Sequence, residues 1–379
     1  MPLLQRLKVI SMTKLDRLIQ ELCPDGVKMY GLDELEERNL VKLGRGKVIS
    51  KRDLIANPGK YPVYSSSAVG DGLFGNYGDY MFNDVRISWS IDGGGKFFYR
   101  DDSRYSLTNV SGWLEIIDSE KINSKYLFYA LTNEWKKKIF NYTFKAHPSV
   151  IRKEYVIPIP PLPIQEEIVR ILDHFTELEA ELEAELEARQ KQYEYYRDEL
   201  LSFGDEVERG KLQDVCEISN GRSHRNLNEG NIPVYGSGGI IRYVDTFIYD
   251  EETVLIPRKG SVENLFYLSE PFWVVDTIFY TKINQKLMIP KFLFYFLQRA
   301  RLEQLNTAAG VPSLTKAVLN LVEVPIPSLA EQERIVAILD RFDALVNDIS
   351  EGLPAEIEAR RKQYEYYRDK LLTFKEVGS

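Results

Sequence analysis

The chain has 379 residues, with 49 lysines and arginines against 57 aspartates and glutamates, which gives a formal net charge of −8. This length predicts two or three domains, and two cysteines are too few for a disulfide framework, which favours a cytoplasmic location. The three scattered histidines do not suggest a zinc site. No apolar run reaches the roughly 18 residues of a membrane helix, and the first residues lack the apolar core of a signal peptide.

The charge is unevenly distributed along the chain. Residues 41–160 carry 18 basic and 12 acidic side chains, a net charge of +6, whereas residues 209–327 carry 13 and 12, a net charge of +1. The acidic residues are concentrated at 161–208, with 15 against 4 basic ones. Because DNA binding needs a local positive face rather than a basic total, the acidic balance of the whole chain does not exclude nucleic-acid binding.

Three sequence segments occur twice. KQYEYYRD begins at Lys191 and again at Lys362, 171 positions later. QEEIVRILD begins at Gln165 and returns as QERIVAILD 167 positions later, and PVYSSS at 62–67 returns as PVYGSG 171 positions later. Solenoid repeats have periods of about 20 to 50 residues, so this period indicates a duplicated domain followed by a duplicated helix.

The remaining pattern predicts mixed helix and strand before each duplicated helix. Glycine- and serine-rich turns separate short apolar segments of strand type, and each copy contains one amphipathic helix. In chain order, the predicted elements are a helix at 13–22, strands at 84–90 and 112–117, a helix at 125–140, a strand at 252–257 and a helix at 291–305.

Two long helices are predicted at 161–204 and 328–379, each following a proline-rich strand end. Their apolar residues recur every three or four positions, as in a coiled coil, and each helix would be roughly 55–65 Å long. The second copy contains four extra residues near Pro354, which add about one turn. The proline itself favours an interruption of the helix at that point.

Apolar and aromatic residues on these helices are candidates for pairing of the helices or for docking of a partner protein. The two tyrosines at positions i and i+3 of each KQYEYYRD copy share one helix face, and packing explains them better than base stacking on so acidic a helix. The candidates are Ile168, Leu172, Phe175, Tyr193, Tyr196, Ile335, Leu339, Phe342, Tyr364 and Tyr367.

No catalytic motif is recognisable. The chain contains no GxxxxGK[ST] phosphate loop and no Asn/Asp-Pro-Pro-aromatic motif of amino-methyltransferases. Glu134 and Lys136 suit a solvated helix face better than a nuclease site, and no third group orients His147 beside Ser149. We therefore predict no catalytic residue and no metal ligand.

Polar loop residues are the candidate DNA contacts, with ordinary turns and solvated charges as the alternative interpretation. Small residues let a backbone approach its partner closely, and serines and bases after a loop suit phosphate contact. This interpretation aligns His147 with Val311 and Ser149 with Ser313. The candidates are Ser65, Ser66, Ser67, Lys96, Lys145, His147, Ser149, Arg152, Gly236, Ser237, Gly238, Arg242, Arg258, Lys259, Ser313 and Lys316.

These motifs resemble the specificity (S) subunits of type I restriction–modification systems. The resemblance rests on the Pro-x-Pro…QEEIVRILD segment that ends at Asp173, on its copy that ends at Asp340, and on the KQYEYYRDxLL ending of both helices. It also rests on the RKGSV segment that begins at Arg258, with its downstream FW and DT pairs. It covers the chain from about Lys14 to the end.

The resemblance implies an α+β fold with two globular mixed α/β target-recognition domains. Two long antiparallel coiled-coil helices would join them in a pseudo-twofold internal repeat. Each domain would read one half of a split double-stranded DNA site. The implied segments are an N-terminal helical segment at 1–26, recognition domains at 27–160 and 205–327, and spacer helices at 161–204 and 328–379.

The resemblance also implies partners that carry the chemistry. Two methyltransferase (M) subunits would dock on the helices and use S-adenosylmethionine, and two restriction (R) subunits would use ATP and magnesium, so the chain itself needs no cofactor. Two alternatives stay open at this point. One is a coiled-coil adaptor that binds only protein, and the other is a self-contained nuclease or methyltransferase, which the missing motifs disfavour.

Overall fold

The computed structural model describes residues 14–66, 70–140, 144–305, 313–347 and 352–378, so the candidate Ser67 lies outside the described residues. The chain divides into two compact units. The first contains the residues up to Glu181 together with those from Glu358 onward, and the second contains Leu182–Ile357. Each unit therefore combines one copy of the mixed domain with parts of the long helices.

The first unit begins with helix α1 (residues 14–22) and continues with short strands, short helices and one long helix. The elements that follow are β1 (Met29–Gly31), α2 (Leu32–Glu37), β2 (Val41–Arg45), α3 (Lys51–Ala56), β3 (Tyr61–Tyr64), β4 (Leu73–Tyr77), β5 (Arg86–Ser90), β6 (Phe97–Arg100), β7 (Ser106–Leu107), β8 (Ser111–Ile116), α4 (Ser124–Trp135), α5 (Pro148–Glu154), β9 (Val156–Pro158) and α6 (Leu162–Leu200).

The second half of the chain repeats this order without a counterpart of α3. Its elements are β10 (Arg209–Lys211), α7 (Leu212–Val215), β11 (Cys216–Asn220), β12 (Ile232–Gly236), β13 (Gly239–Val244), β14 (Thr253–Pro257), β15 (Phe266–Leu268), β16 (Trp273–Val274), β17 (Ile278–Ile283), α8 (Pro290–Arg299), a 3-10 turn (Leu302–Leu305), α9 (Lys316–Asn320), β18 (Glu323–Pro325), α10 (Leu329–Asn347) and α11 (Leu353–Leu371). Helix α6 passes from the first unit into the second after Glu181, and α11 belongs to the first unit from Glu358 onward.

The two domains have the same sheet topology. An antiparallel four-stranded sheet has the order β2-β8-β5-β6 in the first domain and β11-β17-β14-β15 in the second. A three-stranded sheet has the order β4-β3-β7 or β13-β12-β16, and a two-stranded ribbon pairs β1 with β9 or β10 with β18. In the three-stranded sheet Tyr64 pairs with Leu107 and Tyr235 pairs with Val274, which makes Ser65 and Gly236 equivalent.

The core of each domain forms where a buried strand meets the amphipathic helix. Every residue of β14 is buried, and so is all of β5 except Arg86. Helix α4 starts where the side chain of Asn123 accepts a hydrogen bond from the backbone of Tyr126, which satisfies one of the free N–H groups at a helix start. The short apolar strands and the single helix of each domain are what the sequence pattern predicts.

A buried glutamine fixes each domain to the helix that follows it. Gln165 is fully buried; its side-chain oxygen accepts from the backbone N–H of Asn123, and its side-chain nitrogen donates to the carbonyl oxygens of Lys121 and Pro160. Gln332 makes the same three bonds, to Ile289, Leu287 and Pro327, at 2.7, 2.8 and 2.9 Å. Each glutamine thus makes its side-chain hydrogen bonds inside its own unit.

An aspartate about two turns further along each long helix makes a second attachment, which is also duplicated. The Asp173 carboxylate accepts hydrogen bonds from Lys125 Nζ and from the Tyr129 hydroxyl, each at 2.6 Å. Asp340 receives Lys291 Nζ at 2.7 Å and Tyr295 at 2.6 Å. These charge-assisted bonds join the amphipathic helix of each domain to the long helix, and the carboxylate raises the pKa of the Lys125 ammonium.

Within each unit the long helices are paired by an equivalent stack of aromatic rings. In the first unit Phe175 on α6 stacks on Tyr367 of α11 with ring centroids 5.6 Å apart, and in the second Phe342 stacks on Tyr196 at 5.5 Å. In the first unit Glu179, which follows Phe175, pairs with Arg361, which precedes Tyr367. The paired segments of α6 and α11 are therefore antiparallel, as a coiled coil with duplicated halves requires.

The predicted elements are found with shifted ends, and the fold class is confirmed as mixed helix and sheet with long helices. The predicted helix at 125–140 ends at Trp135, and the one at 291–305 ends at Arg299 before a 3-10 turn. Helix α6 is continuous for 39 residues. The second long helix consists of two, α10 and α11, and Pro354 stands in the first turn of α11, where proline is tolerated.

Candidate nucleic-acid interface

Three separate segments of the first domain meet where strand β5 ends. The hydroxyl of Ser66, in the turn after β3, lies 2.5 Å from that of Ser90 and accepts the backbone N–H of Asp92. The carboxylate of Asp92 in turn pairs with Lys145 at 2.9 Å. A strand end that gathers two loops concentrates exposed polar groups on one rigid edge of the sheet.

The equivalent place in the second domain is more basic. Arg258 follows β14 directly, and its guanidinium lies 5.3 Å from the ring centroid of Phe279. The ammonium of Lys316, at the start of α9, lies 5.9 Å from the same ring, and Lys259 forms a β-bridge with Ser313. Among the residues that the structure describes, no carboxylate pairs with Arg258 or Lys316. Two cations that share one ring without a counter-charge suit an anionic ligand.

The hairpin turn of the second domain reaches the same place. A Cβ atom added to Gly260 would lie 3.1 Å from the Ser237 hydroxyl, and Asn264 donates to the carbonyl oxygen of Ser237. Nothing lies within 4 Å of a Cβ added to Gly238. We call this surface the strand-end face; it comprises Ser65, Ser66, Lys96, Lys145 and His147 in the first domain, and Gly236, Ser237, Gly238, Arg258, Lys259, Ser313 and Lys316 in the second.

The sequence alignment of the two loops before α5 and α9 is wrong by four residues. The backbone N–H of Ala146 donates to the carbonyl of Ile91, and that of Leu314 donates to the equivalent residue, Arg258. Ala146 is therefore equivalent to Leu314 rather than to residue 310. The shared Pro-Ser dipeptide suggested the other alignment, but equal spacing from a proline does not fix the register of a loop.

Other predicted contact residues lie in different environments. Arg152 pairs with Glu36, whose pKa it lowers, and donates to the carbonyl oxygen of Leu43. Arg242 donates to the carbonyl oxygen of Leu227 and so holds a loop of its own domain. Ser149 is exposed in the first turn of α5.

A buried arginine that the sequence interpretation missed distinguishes the two domains. Arg100 is 4% exposed; its guanidinium lies 3.7 Å from the ring centroid of Tyr64, and it donates to Ser88 and to the carbonyl oxygen of Asp71. Burial lowers the pKa of Arg100 and, together with Asp102, raises that of Tyr64 to about 12. Arg100 thus connects the sheet to the β3–β4 hairpin.

The second domain fills the equivalent space with apolar side chains. By strand register, Leu255 replaces Ser88 and Leu268 replaces Arg100. The rings of Tyr235 and Phe266 then contact each other directly, with centroids 5.6 Å apart. The hairpin is therefore supported by a hydrogen-bonded cation in one domain and by apolar packing in the other.

The helix candidates divide into buried and exposed residues. Ile168, Leu172, Ile335 and Leu339 are fully buried within their own units, and Tyr193 and Tyr364 face the domain cores. The most exposed aromatic residues of the repeated motif are instead Tyr195 and Tyr366, at 64% and 62%. Spacing in the sequence did not indicate Tyr195 and Tyr366, because it favours the tyrosines that share a face with the apolar stripe.

Two features are absent from the residues that the structure describes. No helix there is both long and apolar enough to cross a membrane. Within the same ranges, no group of three or more His, Cys, Asp or Glu side chains is placed to hold a metal ion.

The model of the type I restriction modification DNA specificity domain matches the chain twice, at residues 25–188 and 204–359. The chain therefore belongs to this family and carries its domain in two copies. It is 30% identical to a type I specificity subunit of Mycoplasma pneumoniae, over 88% of this chain and 95% of that protein. It is 34% identical to the EcoR124I/EcoR124II specificity subunit of Escherichia coli, over 72% of each chain.

Two solved structures share the fold. The S subunit of a type I restriction-modification system from M. genitalium superposes with a TM-score of 0.59 at 19% identity, covering 91% of this chain and 96% of that one. A chain from a structural study of assembly and conformational transition in the type I system superposes with a TM-score of 0.57 at 16% identity, covering 93% and 98%.

Proposed function

We propose that this chain is the DNA-recognition subunit of a type I restriction–modification enzyme. Each domain reads one half of a bipartite, asymmetric DNA site, and the chain carries out no catalysis. S-adenosylmethionine, ATP and magnesium act in partner subunits, two for methylation and two for restriction. The family membership and the curated relatives support the DNA-recognition role.

One observation carries the two-half-site proposal: the domain frame is duplicated while the exposed chemistry is not. The strand order and the glutamine and aspartate attachments are the same in both domains. The strand-end face has serines at Ser65 and Ser66 where the other domain has Gly236 and Ser237, and Arg258 stands where the first domain has Ile91. Different side chains on equal frames suit two different base sequences.

The long helices supply the remaining functions. We propose that they set the gap between the half-sites and dock the two methyltransferase subunits. The exposed Tyr195 and Tyr366 are the docking candidates, because aromatic residues are enriched in protein interfaces. Among the described residues, these two make ring contacts only with their neighbours Tyr196 and Tyr367. The duplication of the motif matches two copies of the same partner.

Methylome sequencing tests the recognition proposal. Cells that express this chain with its methyltransferase subunit are expected to carry adenine methylation in one asymmetric motif with two defined halves and an unspecified gap. Cells that express the methyltransferase subunit alone are the control. Methylation at a continuous palindrome would contradict the proposal, and a complex that binds no duplex in a random library would favour the protein-only adaptor.

The gap depends on helix length in this account. Residues 177–188 are the tetrad ELEA three times over, so deleting residues 181–184 keeps the sequence pattern and moves the helix register by about one turn. The helix shortens by about 6 Å, and the gap is expected to shrink by one or two base pairs, since about 10 base pairs occupy 34–36 Å. A methylome with an unchanged gap would show that the helix does not set the spacing.

A further inference from the structure

The first domain contains an inserted segment that contributes nothing to its core. Gly46 and Gly221 occupy equivalent sites, because a Cβ atom on either would lie 2.0–2.3 Å from a carbonyl oxygen after β7 or β16. Gly59 and Gly230 are equivalent at the next strand by the same criterion. Twelve residues separate the glycines in the first domain and eight in the second. The longer segment contains α3, none of whose residues is buried.

The insertion and its surroundings are basic and exposed. Lys47, Lys51, Arg52 and Lys60 are all exposed, and none pairs with a carboxylate among the residues that the structure describes. The one acidic residue of the segment, Asp53, is engaged in the helix cap with Ser50. Four cations without a carboxylate partner therefore lie within 14 residues (47–60), and together they form a local positive field.

Aromatic rings extend this positive surface at the base of the hairpin. The guanidinium of Arg104 lies 4.8 Å from the ring centroid of Tyr80 and donates to the Tyr61 hydroxyl. Lys60 lies 5.9 Å from the Tyr61 ring, and the two tyrosine rings are 5.2 Å apart. Cations held over aromatic faces keep a fixed position, which a flexible surface lysine does not.

The basic segment is continuous with the strand-end face. Lys47 forms a β-bridge with Thr108, whose hydroxyl donates to Ser65 at 2.9 Å. At the other end of the segment, Leu54 of α3 packs against Gly75 on the hairpin strand β4. The insertion therefore lies along the hairpin that carries Ser65 and Ser66.

The second domain lacks this arrangement. By strand register, Asn220 stands in place of Arg45, Asn231 in place of Lys60 and Pro271 in place of Arg104. Lys47 has a basic counterpart in Arg222, and the shorter loop of the second domain holds one further base, Arg225. The charge difference between the two domains is thus located largely on one surface.

We propose that this surface is the principal phosphate-binding site of the protein, and that the first domain anchors the DNA backbone more strongly than the second. The basic strip consists of Arg45, Lys47, Lys51, Arg52, Lys60 and Arg104. This proposal rests on the DNA-recognition function proposed above, and it assigns most of the phosphate contacts to the first domain. Contacts to phosphates position a duplex without reading its sequence, and each one releases counterions, so its signature is the salt dependence of binding.

The test compares two double variants with equal loss of charge. In the complex of the chain with its methyltransferase subunits, Lys51→Ala with Arg52→Ala removes two cations from the strip, and Arg222→Ala with Arg225→Ala removes two from the corresponding loop of the second domain. All four side chains are exposed, and thermal unfolding of each variant checks that the domains stay folded. Affinity for the methylated site is measured from 50 to 200 mM salt.

The strip variant is expected to reduce the slope of log K against log salt by about 2, since each phosphate contact contributes about 0.9. At 50 mM salt its affinity should fall about tenfold more than at 200 mM. The loss should be equal for the recognised site and for a random duplex, and the methylated motif should not change. The second-domain variant should alter the slope by less than half as much.

An unchanged slope in the strip variant, or equal changes in both variants, would overturn the proposal. So would a changed methylation motif, since that would mark base contacts instead. These results are separable from failure of the DNA-recognition function. If the DNA-recognition function fails, the unaltered complex shows no preference for any sequence. If only the basic-strip proposal fails, the unaltered complex still prefers its site, and the salt dependence of binding is the same in the strip variant as in the unaltered complex.

Discussion

Replacing Gln165 by glutamate is expected to lower the free energy of unfolding of the first unit by about 3 to 5 kcal/mol. The substitution keeps the shape of the side chain and the oxygen that accepts from Asn123. It removes the two N–H donors and places a carboxylate oxygen against the carbonyl oxygens of Lys121 and Pro160, at 2.8 and 2.7 Å in the native chain. The site is fully buried, so water cannot replace the lost bonds.

Gln332→Glu should produce the same loss in the second unit, because the three bonds are duplicated there. The matched controls are Gln20→Glu and Gln304→Glu, at exposed positions, where the same chemical change should alter stability by less than about 0.5 kcal/mol. Hydrogen–deuterium exchange resolves the two units by following the amides of α4 and α8 separately. Equal protection of α4 in Gln165→Glu and Gln20→Glu would show that the glutamine does not fix the domain to its helix.

The pH dependence of Gln165→Glu provides an internal check. Burial disfavours the charged form of the introduced carboxyl, so its pKa in the folded state should be raised above that in the unfolded state. A group of this kind contributes stability below its unfolded pKa and loses that contribution as the pH rises through its folded pKa. The deficit should therefore shrink as the pH falls through that raised folded-state pKa, and it should be smallest below about pH 4. The exposed controls should show no such trend.

Much of the fold was predictable because it depends on local pattern. Short apolar segments between glycine- and serine-rich turns marked β5 and β14, the proline-rich strand ends marked the start of α6, and the repeated motifs marked the duplication. The ends of α4 and α8 were overestimated because charged residues continue the helical pattern after the packed face has ended. Pro354 correctly indicated where the second long helix is interrupted, since a proline restricts the residue before it.

The contacts around the site were harder to predict, because the residues that meet there are distant in sequence. The attachment of Lys125 and Tyr129 to Asp173 joins residues more than 40 positions apart, and no periodicity connects them. Arg100 carried no signal at all, since a strand-end arginine is ordinarily solvated. The insertion that contains Lys51 and Arg52 became visible only when the strand register showed that the second domain lacks it.

A domain exchange within the chain is the second large expected effect. Residues 29–158 replace residues 209–325, so that the first recognition domain occurs twice. The junctions are equivalent, because Met29 pairs with Pro158 in one ribbon as Arg209 pairs with Pro325 in the other. The grafted Lys125 and Tyr129 would meet Asp340 in place of Lys291 and Tyr295, and the grafted Asn123 N–H would meet Gln332. The attachment chemistry is therefore preserved, and we expect the chimaera to fold.

The central claim is that each domain reads its half-site independently, on a common frame. The methylome of cells that express this chimaera with the methyltransferase subunit tests it most directly, with the unaltered chain as reference. The account predicts that the asymmetric motif is replaced by an inverted repeat of the first domain's half-site, with the gap unchanged within about one base pair because the helices that set it are unchanged. A folded, active chimaera that still methylates the original asymmetric site would contradict it.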